Sequence, residues 1–164
     1  MKIPMRRADR EVTDPAKIEE ILKNCPVLRV AIPDEEYPYV VPVNYGWTRS
    51  DSRFTFYFHS SQSGRKARLL GTDGGRRVGF ETDRLLSVGS NGDGSSPCRW
   101  TCRFESVIGE GIAQKATSEE EKRVGLDALM RRSGFEGALD YDAKSFELAD
   151  VYKIEVVELS AKRH

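Results

Sequence analysis

The sequence predicts a mainly β fold, an antiparallel sheet or barrel with helices packed on its outside. Two observations carry this. About six short segments read as strands, separated by turns and only occasionally interrupted by three helices, whereas a doubly wound parallel sheet needs a helix between nearly every pair of strands. The clearest strand, FTFYFHSSQSGRK from Phe54, sets Phe54, Phe56 and Phe58 on one face and Thr55, Tyr57 and His59 on the other, the period-two alternation of a half-buried strand.

Along the chain, residues 1–12 are basic and irregular, an arm or short strand on the domain. Asp14 suits a helix N-cap and Pro15 the first helical position, and Ile18, Ile21 and Leu22 form a narrow apolar stripe that ends near Asn24 and Pro26. Val27 to Ile32 is a strand. Tyr39 to Trp47 reads as a second strand with Pro42 inside it; a residue without an N–H marks an edge, a bulge or a place where a ligand meets the backbone. Residues 49–53 are a polar turn before the Phe54 strand. Arg65 to Leu70 is a short helix stopped by Gly71, and residues 72–75 turn the chain into a strand over 77–82. Val88 to Pro97, rich in Gly and Ser, is a loop. Cys98 to Ala113 is a long strand, bent or bulged at Gly109 and Gly111. Thr117 and Glu120 match a capping box for a helix ending at Arg132, with Leu129 and Met130 assigned to the core. Residues 134–145 are irregular, and Phe146 to Leu159 returns to strand. One domain over 1–164 is expected, with no internal repeat.

Composition narrows function. Lys plus Arg equals Asp plus Glu at 26 each, a balance that argues against broad phosphate-backbone binding and against an anionic membrane surface. The aromatic strands suit a small barrel stacking single-stranded nucleic acid, yet such grooves are basic, so no nucleic-acid partner is expected. No apolar run approaches the roughly 20 residues of a membrane span, and the first residues lack the apolar core of a signal peptide. Three cysteines do not make a disulfide framework; a cytoplasmic location follows as the expectation. Cys98 and Cys102, four apart, would share one strand face, and with Cys25 and His59 they match no zinc spacing, so no metal is assigned.

The unusual feature is the charge at the start of the Arg65 helix. Helix N-termini carry partial positive charge and unpaired N–H groups, which acids usually complement. Here Arg65 and Lys66 open the helix, preceded by Ser60, Ser61 and Ser63. Cations, hydroxyls and free N–H groups converging on one point suit an anion, phosphate above all. A solvated basic turn fits the charges alone equally well.

Four stretches in fixed order, MRRADREVTD, PYVVPVNYGW, FYFHSSQSGRK and WTCRFESVIGEG, resemble the flavin split-barrel proteins related to pyridoxamine 5′-phosphate oxidase, and most of all their nitroimidazole-resistance (Nim) branch. The resemblance runs from about Met5 to Arg132. It implies an antiparallel Greek-key split β-barrel and a homodimer with FMN at its interface. It implies that Arg65 and Lys66 hold the FMN phosphate, that Val43, Asn44 and Tyr45 line the isoalloxazine edge with Pro42 freeing the backbone, and that His59 and Ser60 contact the flavin. Ser106 and Trp100 would reach it from the second subunit. His59 is further expected to act as a proton donor, an imidazole being suited to that role near neutrality. Tyr45 is preferred over Trp47 as a ring contact. The oxidase branch's residues for pyridoxal phosphate find no match, and its basic pair sits in a slightly shorter loop, so oxidation of pyridoxamine phosphate is not implied. The expectation is an FMN-dependent oxidoreductase passing electrons from a small-molecule donor, such as a reduced nicotinamide, to a small acceptor such as a nitroaromatic. A flavin-binding or sensing module without turnover is the alternative.

Overall fold

A computed structural model describes residues 4–71, 74–92 and 94–164. The arm expected over the first three residues, the turn at 72–73 and the loop position 93 lie outside the described residues.

Eight antiparallel strands form one sheet in the order β3-β2-β6-β7-β8-β5-β4, with the two-residue β1 (Glu11–Val12) added on β8. The ends of this path explain its shape. β3 (Tyr39–Val43) pairs only with β2 (Leu28–Ile32), and β4 (Gly46–Ser50) only with β5 (Arg53–Ser60). Yet just Asn44 and Tyr45 separate β3 from β4. Three Cα steps span at most about 11 Å, so the two outermost strands meet and the sheet curls into a barrel split between them.

The strand expected over Tyr39 to Trp47 is therefore two strands on opposite sides of the split. The crossing is fixed by Tyr45, whose ring is buried (2% exposed) and whose hydroxyl donates toward the carbonyls of Leu22 (3.0 Å) and Cys25 (2.9 Å). Pro42 stands opposite Arg29 on the edge strand β3, where a missing N–H leaves no ladder bond unmade.

Inside the barrel, Phe54, Phe56 and Phe58 pack with Val30, Phe80 and Ile154, and Phe56 meets Phe80 edge-on at 5.1 Å. Each such side chain contributes about 1.5–3 kcal/mol by burial. Helix α1 (Pro15–Asn24) presents Ile18, Ile21 and Leu22 to this core, and α2 (Arg65–Leu70) presents Leu69 and Leu70. A second, outer cluster forms where Tyr57 of β5 and Val151 of β8 (Asp150–Arg163) pack under Leu126 and Leu129 of α3 (Glu119–Arg132), with Met130 against it. Two glycines permit this contact: a Cβ on Gly46 would overlap the Ala128 backbone, and one on Gly125 would lie 2.6 Å from Val151 Cγ1.

Other elements depart from the sequence reading in detail. β6 (Arg76–Ser90) is longer than expected and β7 (Trp100–Lys115) is shifted two residues along the chain; residues 88–90 pair with 100–102 rather than forming loop. Cys98 lies in a 3₁₀ turn, Pro97–Arg99, so it shares no strand face with Cys102. The bulge at the glycines is real, with the β7–β8 register shifting between Glu110 and Gly111. The cap of α3 is Ser118, accepting from the Glu121 amide at 3.1 Å, one residue past the expected Thr117–Glu120 pair. Phe146 belongs to a further short helix, α4 (Ala143–Leu148), capped by Asp142, and the last strand starts at Asp150 instead.

Candidate functional site

β5 ends with His59 exposed and Ser60 buried, and Gly64 (φ 103°) then swings the chain into α2. No side chain caps α2 and its first turn has no acid. Arg65 and Lys66 therefore project from an uncompensated helix start beside the end of β5.

The two cations are held differently. Arg65 donates Nε to Oδ2 of Asp34 at 2.8 Å and holds Nη2 in an ion pair 2.7 Å from the same oxygen, and its guanidinium lies 4.6 Å from the Tyr39 ring centroid. Arg68 approaches the same oxygen at 3.7 Å. The Asp34 carboxylate, only 7% exposed, is kept below its usual pKa, chiefly by the Arg65 bond. Asp34 thus fixes the Arg65 side chain while leaving Nη1 without a partner among the described residues. Lys66 has no carboxylate partner among the described residues. Its Nζ reaches the His59 carbonyl at 3.4 Å and lies 5.5 Å from the Phe58 ring, and burial alone lowers its pKa. A half-buried ammonium with only a long neutral bond and a ring is what an anion would satisfy.

Of the expected hydroxyl donors, Ser61 is already bonded to the Ser63 carbonyl at 2.8 Å. Gln62 ties the same loop to the Glu147 carbonyl at 3.2 Å. The imidazole of His59 has no hydrogen-bond partner among the described residues. Asn44 is exposed in the two-residue crossing between β3 and β4. Val43 is buried in the core, and Tyr45 has its ring within it, so the Tyr45 ring preferred for a ring contact offers almost no surface in this chain. Trp47 packs half-buried on the core.

Trp100 and Ser106 stand apart. Arg76, at the start of β6, donates to the Pro33 carbonyl next to Asp34, which places the cations at the Arg76–Ala113 end of the β6–β7 pair. At about 3.3 Å per residue, Ser106 is roughly 23 Å and Trp100 roughly 43 Å along β7 from Ala113. A single chain does not bring them to Arg65. Asp34, Arg68 and Tyr39, by contrast, complete the surroundings of Arg65, and nothing local in the sequence marks a contact between residues 34 and 65.

Among the described residues no group of three or more His, Cys, Asp or Glu is arranged to hold a metal ion, and no helix is long and apolar enough to cross a membrane. Cys98 and Cys102 are exposed; Cys25 is buried, which pushes its thiol up to about 11.

An antiparallel barrel opened between two edge strands, with a basic helix start at the end of β5, defines the split-barrel class. The family model described as pyridoxamine 5′-phosphate oxidase matches residues 14–163, and the chain belongs to that family. Among solved structures it is similar to a Bacteroides thetaiotaomicron protein proposed to act in 5-nitroimidazole antibiotic resistance, at 27% identity over 93% of this chain and 86% of that one, TM-score 0.75. It also shares its fold with the flavocytochrome Anf3 of Azotobacter vinelandii (22% identity, 98% and 72% covered, TM-score 0.75). A FAD- and heme-binding protein of Mycobacterium smegmatis shares the fold as well (19%, 94% and 73%, TM-score 0.74). No curated protein matches the chain.

Proposed function

We propose that this protein is an FMN-binding oxidoreductase that works as a homodimer and reduces nitroaromatic or other small acceptors. The observation that carries the reading is the pair Arg65 and Lys66 at an acid-free helix start, one clamped by Asp34 and the other without a carboxylate partner among the described residues. This donor set suits a phosphate, with Arg65 offering its free guanidinium edge and Lys66 a point charge. Val43, Asn44 and Tyr45 would then border the isoalloxazine through their backbone, with His59 and Ser60 on the β5 side. When bound, FMN supplies the electron-transfer chemistry. His59, exposed and unpaired, is free to give a proton to the acceptor.

The dimer reading is supported by the distance of Trp100 and Ser106 from Arg65 within one chain. Beyond its partners β2 and β8, the β6–β7 hairpin continues as a two-stranded ribbon, exposing Leu85, Leu86, Val88 and Trp100. Such ribbons are marginal alone, and a second copy that covered this one would carry Trp100 and Ser106 to the other chain's cofactor. The nitro acceptor rests on family membership and on the similarity to the Bacteroides protein.

The test is anaerobic turnover of a nitroimidazole by the FMN-reconstituted protein with NADH or NADPH. Loss of the nitro absorbance is the expected result; none, with any donor, contradicts the acceptor class. One observation favours a binding module without turnover: no second acid–base group is bonded to His59. FMN binding with no oxidation of NADH or NADPH across several acceptors would select it.

A further inference from the structure

A second cleft lies on the outside of the barrel, between the last turn of α1, β4 and α3, with a volume of about 770 Å³. That is within the roughly 300–1,000 Å³ of small-molecule sites. Its floor is apolar: the half-buried Trp47, with Ala128, Val124 and Leu139 around it. Its rim is cationic, and in a chain whose charges balance this rim is not balanced. Lys23 makes no hydrogen bond or ion pair with any described residue. Arg131 donates only to the carbonyls of Phe135 (2.9 Å) and Gly137 (3.1 Å). Arg132 donates Nη2 only to the carbonyls of Leu22 (3.2 Å) and Cys25 (2.8 Å), stacks 5.7 Å from the Trp47 ring centroid, and keeps a buried Nε with no acceptor. The one carboxylate in the lining, Asp127, accepts from the Tyr141 hydroxyl at 2.9 Å and forms no ion pair with any of the three among the described residues.

We propose that this cleft binds a small aromatic carboxylate, its ring on Trp47 and its charge toward Lys23 and Arg131. An aromatic floor selects a flat apolar body. Three cations without a carboxylate partner select an anion, and a guanidinium fork fits a carboxylate in particular. The site does not depend on the flavin reading, since it shares no residue with the Arg65 cluster.

Trp47 and Trp100 are the only tryptophans, so two indole N–H signals in an ¹⁵N–¹H spectrum of the full chain report the outcome, assigned with Trp100→Phe. Titration with 2-naphthoate shifts the Trp47 signal saturably and leaves Trp100 in place. The neutral 2-naphthalenemethanol binds roughly tenfold or more weaker, inorganic phosphate alone does not move the signal, and Lys23→Gln weakens naphthoate by roughly tenfold. Lys23 is an unpartnered surface side chain, so that variant keeps its fold, checked by its unchanged Trp100 signal. Equal binding of acid and alcohol, a Lys23→Gln variant that binds as well as the wild type, or no saturable shift at Trp47 overturns the proposal.

Discussion

Helices α1 and α3 begin in one way and α2 in another. Asp14 accepts from the Ala16 amide at 2.9 Å at the head of α1, and Ser118 caps α3 ahead of Glu119, Glu120 and Glu121. Each arrangement answers the helix's free N–H groups and partial positive charge with an oxygen or a carboxylate. α2 has a glycine where the cap belongs and two bases in its first turn. What keeps it in place is its other face: Leu69 and Leu70 in the core, and Asp34 gripping Arg65 from the β2–β3 turn. Starts that stabilise a helix satisfy it locally. The start of α2 is left open and anchored by packing instead, as the proposed phosphate site requires.

The contrast gives a ranked set of expectations. Replacing both cations, Arg65→Ala/Lys66→Ala, should lower FMN affinity by about a hundredfold or more, since each charged hydrogen bond contributes about 1.5–3 kcal/mol. Losing the Arg65–Asp34 pair should itself cost some stability, so the structural role is read on Lys66→Ala alone, whose thermal midpoint should stay close to wild type; a large drop would make Lys66 structural, as the acids of α3 are. Gly46→Ala should cost about 1–3 kcal/mol by pushing α3 off β4, read from denaturant midpoints, with FMN affinity little changed. Asp14→Ala should cost about 1 kcal/mol through the lost cap. A comparable change in FMN binding would erase the distinction between the two kinds of helix start.

Smaller pH effects separate Asp34 from Lys66. The folded state holds the Asp34 proton less tightly than the unfolded chain, so its contribution is present above the ordinary carboxylate range, near pH 4, and fades as pH falls through the lowered folded value. Asp34→Asn should therefore flatten the acid limb of a stability profile. Burial lowers the Lys66 pKa, so stability without ligand rises with pH between that value and the ordinary one near 10.4. FMN affinity should move the opposite way, weakening as Lys66 loses its charge, and Lys66→Met should abolish both trends.

Much of this was legible in the residues. Asp14-Pro15 located α1, the phenylalanine alternation located β5, and Arg65-Lys66 at a helix start marked the cations without any structure. The misses share a physical origin in long-range partners. Residues 39–47 look like one strand because nothing local reveals that Tyr45 dives into the core and carries the chain across the split. Thr117–Glu120 and Ser118–Glu121 both fit the capping pattern, and only the geometry chooses the second. Phe146 fits a strand by type, yet Asp142 bonded to the Ser145 amide makes it helical. Asp34 was unreadable as a site neighbour, because a turn carboxylate acquires that role only when the fold brings Arg65 to it.

The most direct measurement compares FMN with riboflavin, which has the same ring system and no phosphate, by quenching of flavin fluorescence on the wild-type protein. The account predicts FMN binding tighter by about a hundredfold or more, with the gap nearly closed in Arg65→Ala/Lys66→Ala. Equal affinity for the two flavins in the wild type would contradict it, leaving the basic start of α2 as a solvated turn.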